Sequence, residues 1–180
     1  MGVHTLPRVL VIGVGNAYRS DDALGLIAAR QIAARRPGGV PNVRVVEASG
    51  DGTQLIEAWR DADVVIVIDA VHGERGAPAG TLHRFDAHEE SLPAHLFHYS
   101  THAFGVAEAI GLARALKRLP PQLIVYGIEG QVFEAGVGLS AEVARAVPSV
   151  VVHAVGYIRS HMDGPMSRTA PTSASGIRGR

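Results

Sequence analysis

The 180-residue sequence contains no cysteine. That single absence excludes disulfides, thiolate metal sites and a cysteine nucleophile together, and it fits a reducing compartment. Any metal is left to histidine, carboxylate or backbone oxygen. An excess of charge of one sign is lacking too: 17 basic residues face 17 acidic ones, for a formal net charge of +0. No positive field is available for nucleic acid or an anionic membrane, so neither is expected as a partner. Long apolar runs are also missing. The run Val9 to Val14 is shorter than the apolar region of a secretory signal, and "VVIVI" at 64–68 stops at Asp69, far short of a membrane span. A cytoplasmic protein is expected.

What the chain does have is 47% hydrophobic residues, enough over this length to bury one substantial core. No composition shift interrupts residues 1–160, which read as a single domain, whereas 161–180 is poor in large apolar residues and reads as a disordered tail. Within the domain, apolar β-branched runs alternate with stretches of helical spacing. "RVLVIGV" (8–14), "NVRVVEA" (42–48), "DVVIVIDAV" (63–71) and "PQLIVYGIE" (121–129) are predicted strands, and "GTLHRFD" (80–86) is predicted as an edge strand, with an antiparallel direction left open to it. Helices are predicted over 22–36, over 53–62 with Thr53 as the cap, over 101–119, and from 141 to about 160, where Pro148 either kinks one helix or opens a second. The fold class is α/β: a three-layer αβα sandwich around a mostly parallel twisted sheet of about five strands.

In open α/β sheets ligands gather beyond the carboxyl ends of the strands, near the point where strand order reverses. Three polar residues fall there: Asp22 after the first strand, Asp69 at the end of the "VVIVID" strand, and His102 at the start of the third helix. Each also has a purely structural reading. Asp21 or Asp22 fits a helix cap, a device worth about 1 kcal/mol. Asp69 fits a turn residue, although a carboxylate directly after five apolar residues is costly to bury without a partner. His102 fits an ordinary helix start. Together, two carboxylates and an imidazole would make a divalent site with open positions, suited to nickel, zinc, iron or manganese.

Other features compete. His83, His88, His95, His98 and His102 crowd one segment, either a metal-acquiring loop or a solvated loop whose irregular spacing sets no face. His72, three residues after Asp69, reads as a loop residue or an auxiliary ligand. The turn "GVGN" offers Gly13 and Gly15, but the third glycine of a dinucleotide fingerprint would fall at Tyr18, and the carboxylates that follow would repel a phosphate. No Gly-x-Ser-x-Gly elbow is present, and "ASGDGT" (48–53) reads as a glycine turn beside the site.

The ordered set "VLVIGVGNAYRSDDALG", "VIDAV", "STHAFG", "YGIEG" and "GVGLSAEV" resembles the hydrogenase maturation endopeptidases over roughly residues 8–160. The resemblance implies a phosphorylase/hydrolase-like version of the sandwich. It also implies removal of a C-terminal extension from the large-subunit precursor of a [NiFe]-hydrogenase after nickel insertion. The family's acidic residue after the glycine turn, strand-end aspartate and histidine before a helix map onto Asp22, Asp69 and His102, as both catalytic and metal-contacting residues. Nickel would come with the precursor rather than stay with the enzyme. Ala23 stands where the family often has glycine after the acidic pair, and the segment "RFDAHEESLPAHLFHY" is richer in histidine than the family pattern. Two alternatives stand beside this one: a peptidyl-tRNA hydrolase-like esterase, and a non-enzymatic nickel-binding accessory protein using the histidine-rich loop.

Overall fold

The first strand, β1 (Val9–Val14), is six residues long and buried throughout, which requires helices on both of its faces. A computed structural model describes residues 6–35, 42–73, 77–97 and 104–162. In it β1 is followed by α1 (Leu24–Arg35), β2 (Val43–Ala48), α2 (Gly52–Trp59), β3 (Val64–Val71), β4 (Leu82–Asp86), α3 (Val106–Ala115), β5 (Gln122–Glu129) and α4 (Ala141–Met162). The strands form a five-stranded sheet in the order β2-β1-β3-β5-β4. All pairings are parallel except β4 with β5, so β4 is the edge strand that the sequence pattern predicts, and its direction, open in the sequence, is antiparallel.

Alternation along the strands divides the core in two. Val9 and Val11 of β1 and Val64, Ile66 and Ile68 of β3 pack with Leu24, Ala28 and Ile32 of α1 and with Val143, Val147, Val151 and Ile158 of α4. The opposite face, with Leu10, Ile12, Val65, Val67 and Val71, packs under Leu55 and Trp59 of α2 and Val106, Ile110 and Ala113 of α3. The molecule is a three-layer α/β/α sandwich. Strand order reverses between β1 and β3, because the chain leaves β1 toward β2 and returns on the other side.

Several boundaries differ from the sequence expectations for local reasons. A 3₁₀ turn over Ser20–Ala23 precedes α1. Helix α2 is capped by the Asp51 carboxylate, which accepts from the Gln54 amide at 3.0 Å, so Asp51 and not Thr53 is the cap. Helix α3 begins only after Gly105 and ends before Lys117, whose φ of 56° breaks the helical path; both ends fall inside the expected 101–119. Helix α4 is one continuous helix with Pro148 inside it, neither broken nor restarted there. By length and composition α4 is the one described helix that could cross a bilayer, but its apolar stripe lies against the sheet. It reaches Met162, two residues past the expected domain end; the tail expected beyond falls on residues 163–180, which lie outside those described.

Candidate functional site

The link between β1 and α1 is unusually tight, and glycine makes it so. A Cβ on Gly25 would collide with the carbonyl oxygens of both Val14 and Ile68, and one on Gly13 would collide with the Gly25 carbonyl. Gly15 adopts φ 144°, and a side chain there would strike the Asp22 carbonyl. The Gly-x-Gly turn therefore seats the start of α1 directly on the ends of β1 and β3. It holds protein backbone where a dinucleotide fingerprint would hold a phosphate.

The two adjacent aspartates of this turn have opposite environments. Asp21 has no solvent exposure. Its carboxylate accepts the amides of Gln131 and Val132, each at 2.9 Å, the Ser140 amide at 2.6 Å and the Ser140 hydroxyl at 3.0 Å. Burial alone would raise its pKa, but these four donors outweigh burial and hold the carboxyl below its ordinary value. Asp21 is the latch between the turn and the 131–140 loop, a role the sequence reading missed. Asp22 is half-buried. Its pKa is raised by burial, against the opposing pull of the Arg19 charge and an Asn16 backbone hydrogen bond.

Asp69 belongs to β3 itself, which continues to Val71 in line with the strand expected over 63–71, so it is a strand residue and not a turn residue. The β1–β3 ladder ends at Gly13 with Ile68, which makes Asp69 the first β3 residue past that ladder, at the strand ends where strand order reverses and where a ligand crevice is expected. The partner opposite it on β5 is Gly127, which adds no side chain. Asp69 is 6% exposed. Burial, and second the Asp22 carboxylate, push its pKa up to about 8, against one hydrogen bond from the Ala70 backbone. The structure thus brings Asp22 and Asp69 within electrostatic reach of each other. Two carboxylates meeting in a buried crevice suit a cation, since a positive charge removes both the repulsion and much of the desolvation cost.

His102 lies outside the described residues. Phe104, the first described residue after it, is anchored at the start of α2, because the Gly52 amide donates to the Phe104 carbonyl at 2.9 Å and Gly52 leaves no room for a Cβ beside the Phe104 ring.

His98 likewise lies outside the described residues, and the histidines that are described do not converge. His83 Nε2 meets the Glu129 carboxylate at 2.8 Å, His88 Nε2 meets the Pro120 carbonyl at 2.8 Å, and the His72 ring sits edge-on to Phe133. Among the described residues no three histidine, aspartate or glutamate side chains gather as a metal-sized group, so His72 does not complete one with Asp22 and Asp69. Glu129, 3% exposed, also accepts the Gly73 amide at 2.8 Å and borders a cleft of 620 Å³ with His72, Gln131 and Glu142. A carboxylate closing the apolar strand "LIVYGI" carries the signal that singles out Asp69, and the same rule read on β5 would have found Glu129.

The family model described as hydrogenase maturation protease matches residues 29–156. The chain is 28% identical to the hydrogenase expression/formation protein HupD of Thiocapsa roseopersicina, over 84% of this chain and 68% of the relative. It is 26% identical to the hydrogenase 2 maturation protease of Escherichia coli, over 84% of this chain and 91% of the relative. Among solved structures it is similar to the [NiFe] hydrogenase maturation protease HybD of Thermococcus kodakarensis. That match has 29% identity and a TM-score of 0.64, and covers 84% of this chain and 99% of the other.

Proposed function

As a member of the hydrogenase maturation protease family, the chain is a peptidase, and we propose that it removes a C-terminal extension from the nickel-loaded large-subunit precursor of a [NiFe]-hydrogenase. The observation that carries this reading is the buried Asp69, raised to about 8 by burial and by the neighbouring Asp22. A carboxylate so perturbed, in a crevice at the strand-order reversal, is a group set up to receive a cation or exchange a proton.

In this reading the nickel is part of the substrate. Asp22 and Asp69, with His102 from the segment before α3, are the groups that would meet it, two oxygen donors and an imidazole suited to a borderline cation. Nickel would supply positive charge at the crevice, which draws both carboxylates into their ionised form. A precursor without nickel would meet a protonated Asp69 at neutral pH and gain no such contact, so the metal would act as a check that the substrate is mature.

The residues' own chemistry is proton transfer. Ionised Asp22 or Asp69 would take a proton from the attacking water as its oxygen bonds to the scissile carbonyl carbon, and that proton would go to the departing amine as the peptide bond breaks. The test is trimming of purified nickel-loaded precursor, followed by mass spectrometry. The wild-type protein is expected to release the extension, and Asp22→Asn, Asp69→Asn and His102→Ala are each expected to abolish release with the fold intact. Normal trimming by the Asp69→Asn protein would overturn the assignment.

The esterase alternative predicts a different family from the one matched. The accessory-protein alternative requires converging histidines, whereas His83 and His88 are directed to separate partners.

A further inference from the structure

The two most exposed large apolar side chains among the described residues are Val137, 87% exposed, and Tyr18, 75% exposed. They are far apart in sequence and belong to adjoining backbones. The Gly136 amide donates to the Tyr18 carbonyl at 2.9 Å, the Ser20 amide donates to the Gly136 carbonyl at 3.1 Å, and Arg19 and Gly136 form a parallel bridge. Tyr18 thus precedes, and Val137 follows, the residues that join the two segments, within the same turn that carries Asp22.

Exposed apolar side chains on loops are ordinary, but these stand on a fixed base. Besides those bonds, the Asp21 amide donates to the Val132 carbonyl at 2.9 Å, Arg19 Nε to the Phe133 carbonyl at 3.1 Å and the Ser20 hydroxyl to the Glu134 carbonyl at 3.2 Å. The Asp21 carboxylate closes the loop at both ends, on Gln131 and Val132 at one and on Ser140 at the other. Ser20 accepts φ 48° within this arrangement, a left-handed backbone that a non-glycine residue rarely adopts. A loop tied this firmly gains nothing in core burial from Tyr18 or Val137. Holding them in place lowers the ordering cost of whatever docks on them.

We propose that Tyr18 and Val137 form a preorganised apolar grip for the precursor polypeptide at the Asp22 edge of the crevice, with the 131–140 loop as the wall that carries it. The occupant is a protein chain engaged through apolar side chains. This follows from the grip's place on the Asp22 turn and from the peptidase assignment, on which the inference rests. The net charge of zero fits a contact made by apolar surface rather than by long-range charge.

The experiment measures binding and trimming separately, with purified nickel-loaded precursor as the probe. Tyr18→Ser, Val137→Ser and the double variant are compared with wild type, and Val152→Ser, an exposed valine on α4, serves as the control. The Kd for precursor is measured in the Asp69→Asn background, where no product forms. The expected result is about a fivefold or greater weakening for each single variant and more for the double, the scale of interface residues worth 1 kcal/mol or more. The maximal trimming rate at saturating precursor and the unfolding midpoint should stay unchanged. A double variant that binds within twofold of wild type overturns the grip, as does a wild-type protein that shows no affinity for the precursor. Loss of maximal rate with unchanged Kd also overturns it, because that places the side chains in the chemistry. Tight binding by a wild-type protein that never trims would instead refute the proposed function and leave the grip standing.

Discussion

Replacing Asp21 by alanine removes one buried carboxylate and leaves four donors without their acceptor: the amides of Gln131, Val132 and Ser140 and the Ser140 hydroxyl. A hydrogen bond to a charged group contributes about 1.5–3 kcal/mol net, and such terms do not add within one network. Gln131 is exposed and Val132 and Ser140 are half-buried, so water can reach part of the vacated site. The expected loss is about 3–5 kcal/mol, near the cost of breaking a buried charged pair. For a domain of this size that is a fall of about 10 °C in Tm. Asparagine should cost less, about 2 kcal/mol, because its amide oxygen can keep the bonds at one carboxylate position while its NH2 confronts only the Ser140 amide. The pH dependence supplies the sharper test. The folded pKa of Asp21 lies below its unfolded value, so its contribution is complete above the unfolded value near 3.8 and is lost as pH falls through the folded one. Urea unfolding at pH 7 and pH 3 should therefore show the alanine variant far below wild type at the first pH and closer to it at the second. A pH 7 difference under about 1 kcal/mol, or one that persists unchanged into acid, would refute the latch.

Asp69 should behave in the opposite way. Its folded pKa of about 8 lies above the unfolded value, so the native state holds the extra proton and wild-type stability declines as pH rises from about 4 to 8. Asp69→Asn should remove that decline and be the more stable protein at pH 8 while failing to trim; a variant that parallels wild type across this range would show that Asp69 is not buried as a protonated acid. Two glycines make a contrasting pair. Gly25→Ala sets a methyl against the carbonyls of Val14 and Ile68 at once and should cost at least about 3 kcal/mol or abolish soluble expression, whereas Gly111→Ala, exposed in α3 with open space around the new methyl, should stabilise by about 0.5–1 kcal/mol in the same unfolding assay.

The fold was legible because its evidence is local and periodic. A run such as "VVIVI" can be sheltered on both faces only inside a parallel sheet, and "GTLHRFD" alternates because β4 is an edge strand with a half-solvated side. The errors sit at ends, where short-range rules compete. Asp51 took the cap from Thr53 because its carboxylate reaches the Gln54 amide from one residue before the helix. Pro148 was ambiguous because a proline opening a helix and one tolerated inside it look alike in sequence; packing of Val143 and Val147 before it and Val151 after it on the same sheet face decides for continuity.

The site was legible to a different depth. That Asp69 would be unusual follows from its apolar neighbours, and burial bears this out. Which of Asp21 and Asp22 serves the fold and which faces the crevice does not follow from "SDDA", because either aspartate is a plausible cap. What separates them is the amides of Gln131, Val132 and Ser140, more than a hundred residues away, which converge on Asp21 and supply the compensation that Asp22 does not receive. The same separation explains why the turn needs two acidic residues side by side. One carboxylate, satisfied by backbone, fixes the geometry of the loop; the other, short of compensating donors, is the one that under the proposed function would meet the cation. Neutralising Asp21 should therefore loosen the wall and lower stability, whereas neutralising Asp22 should relieve Asp69 and leave the fold intact.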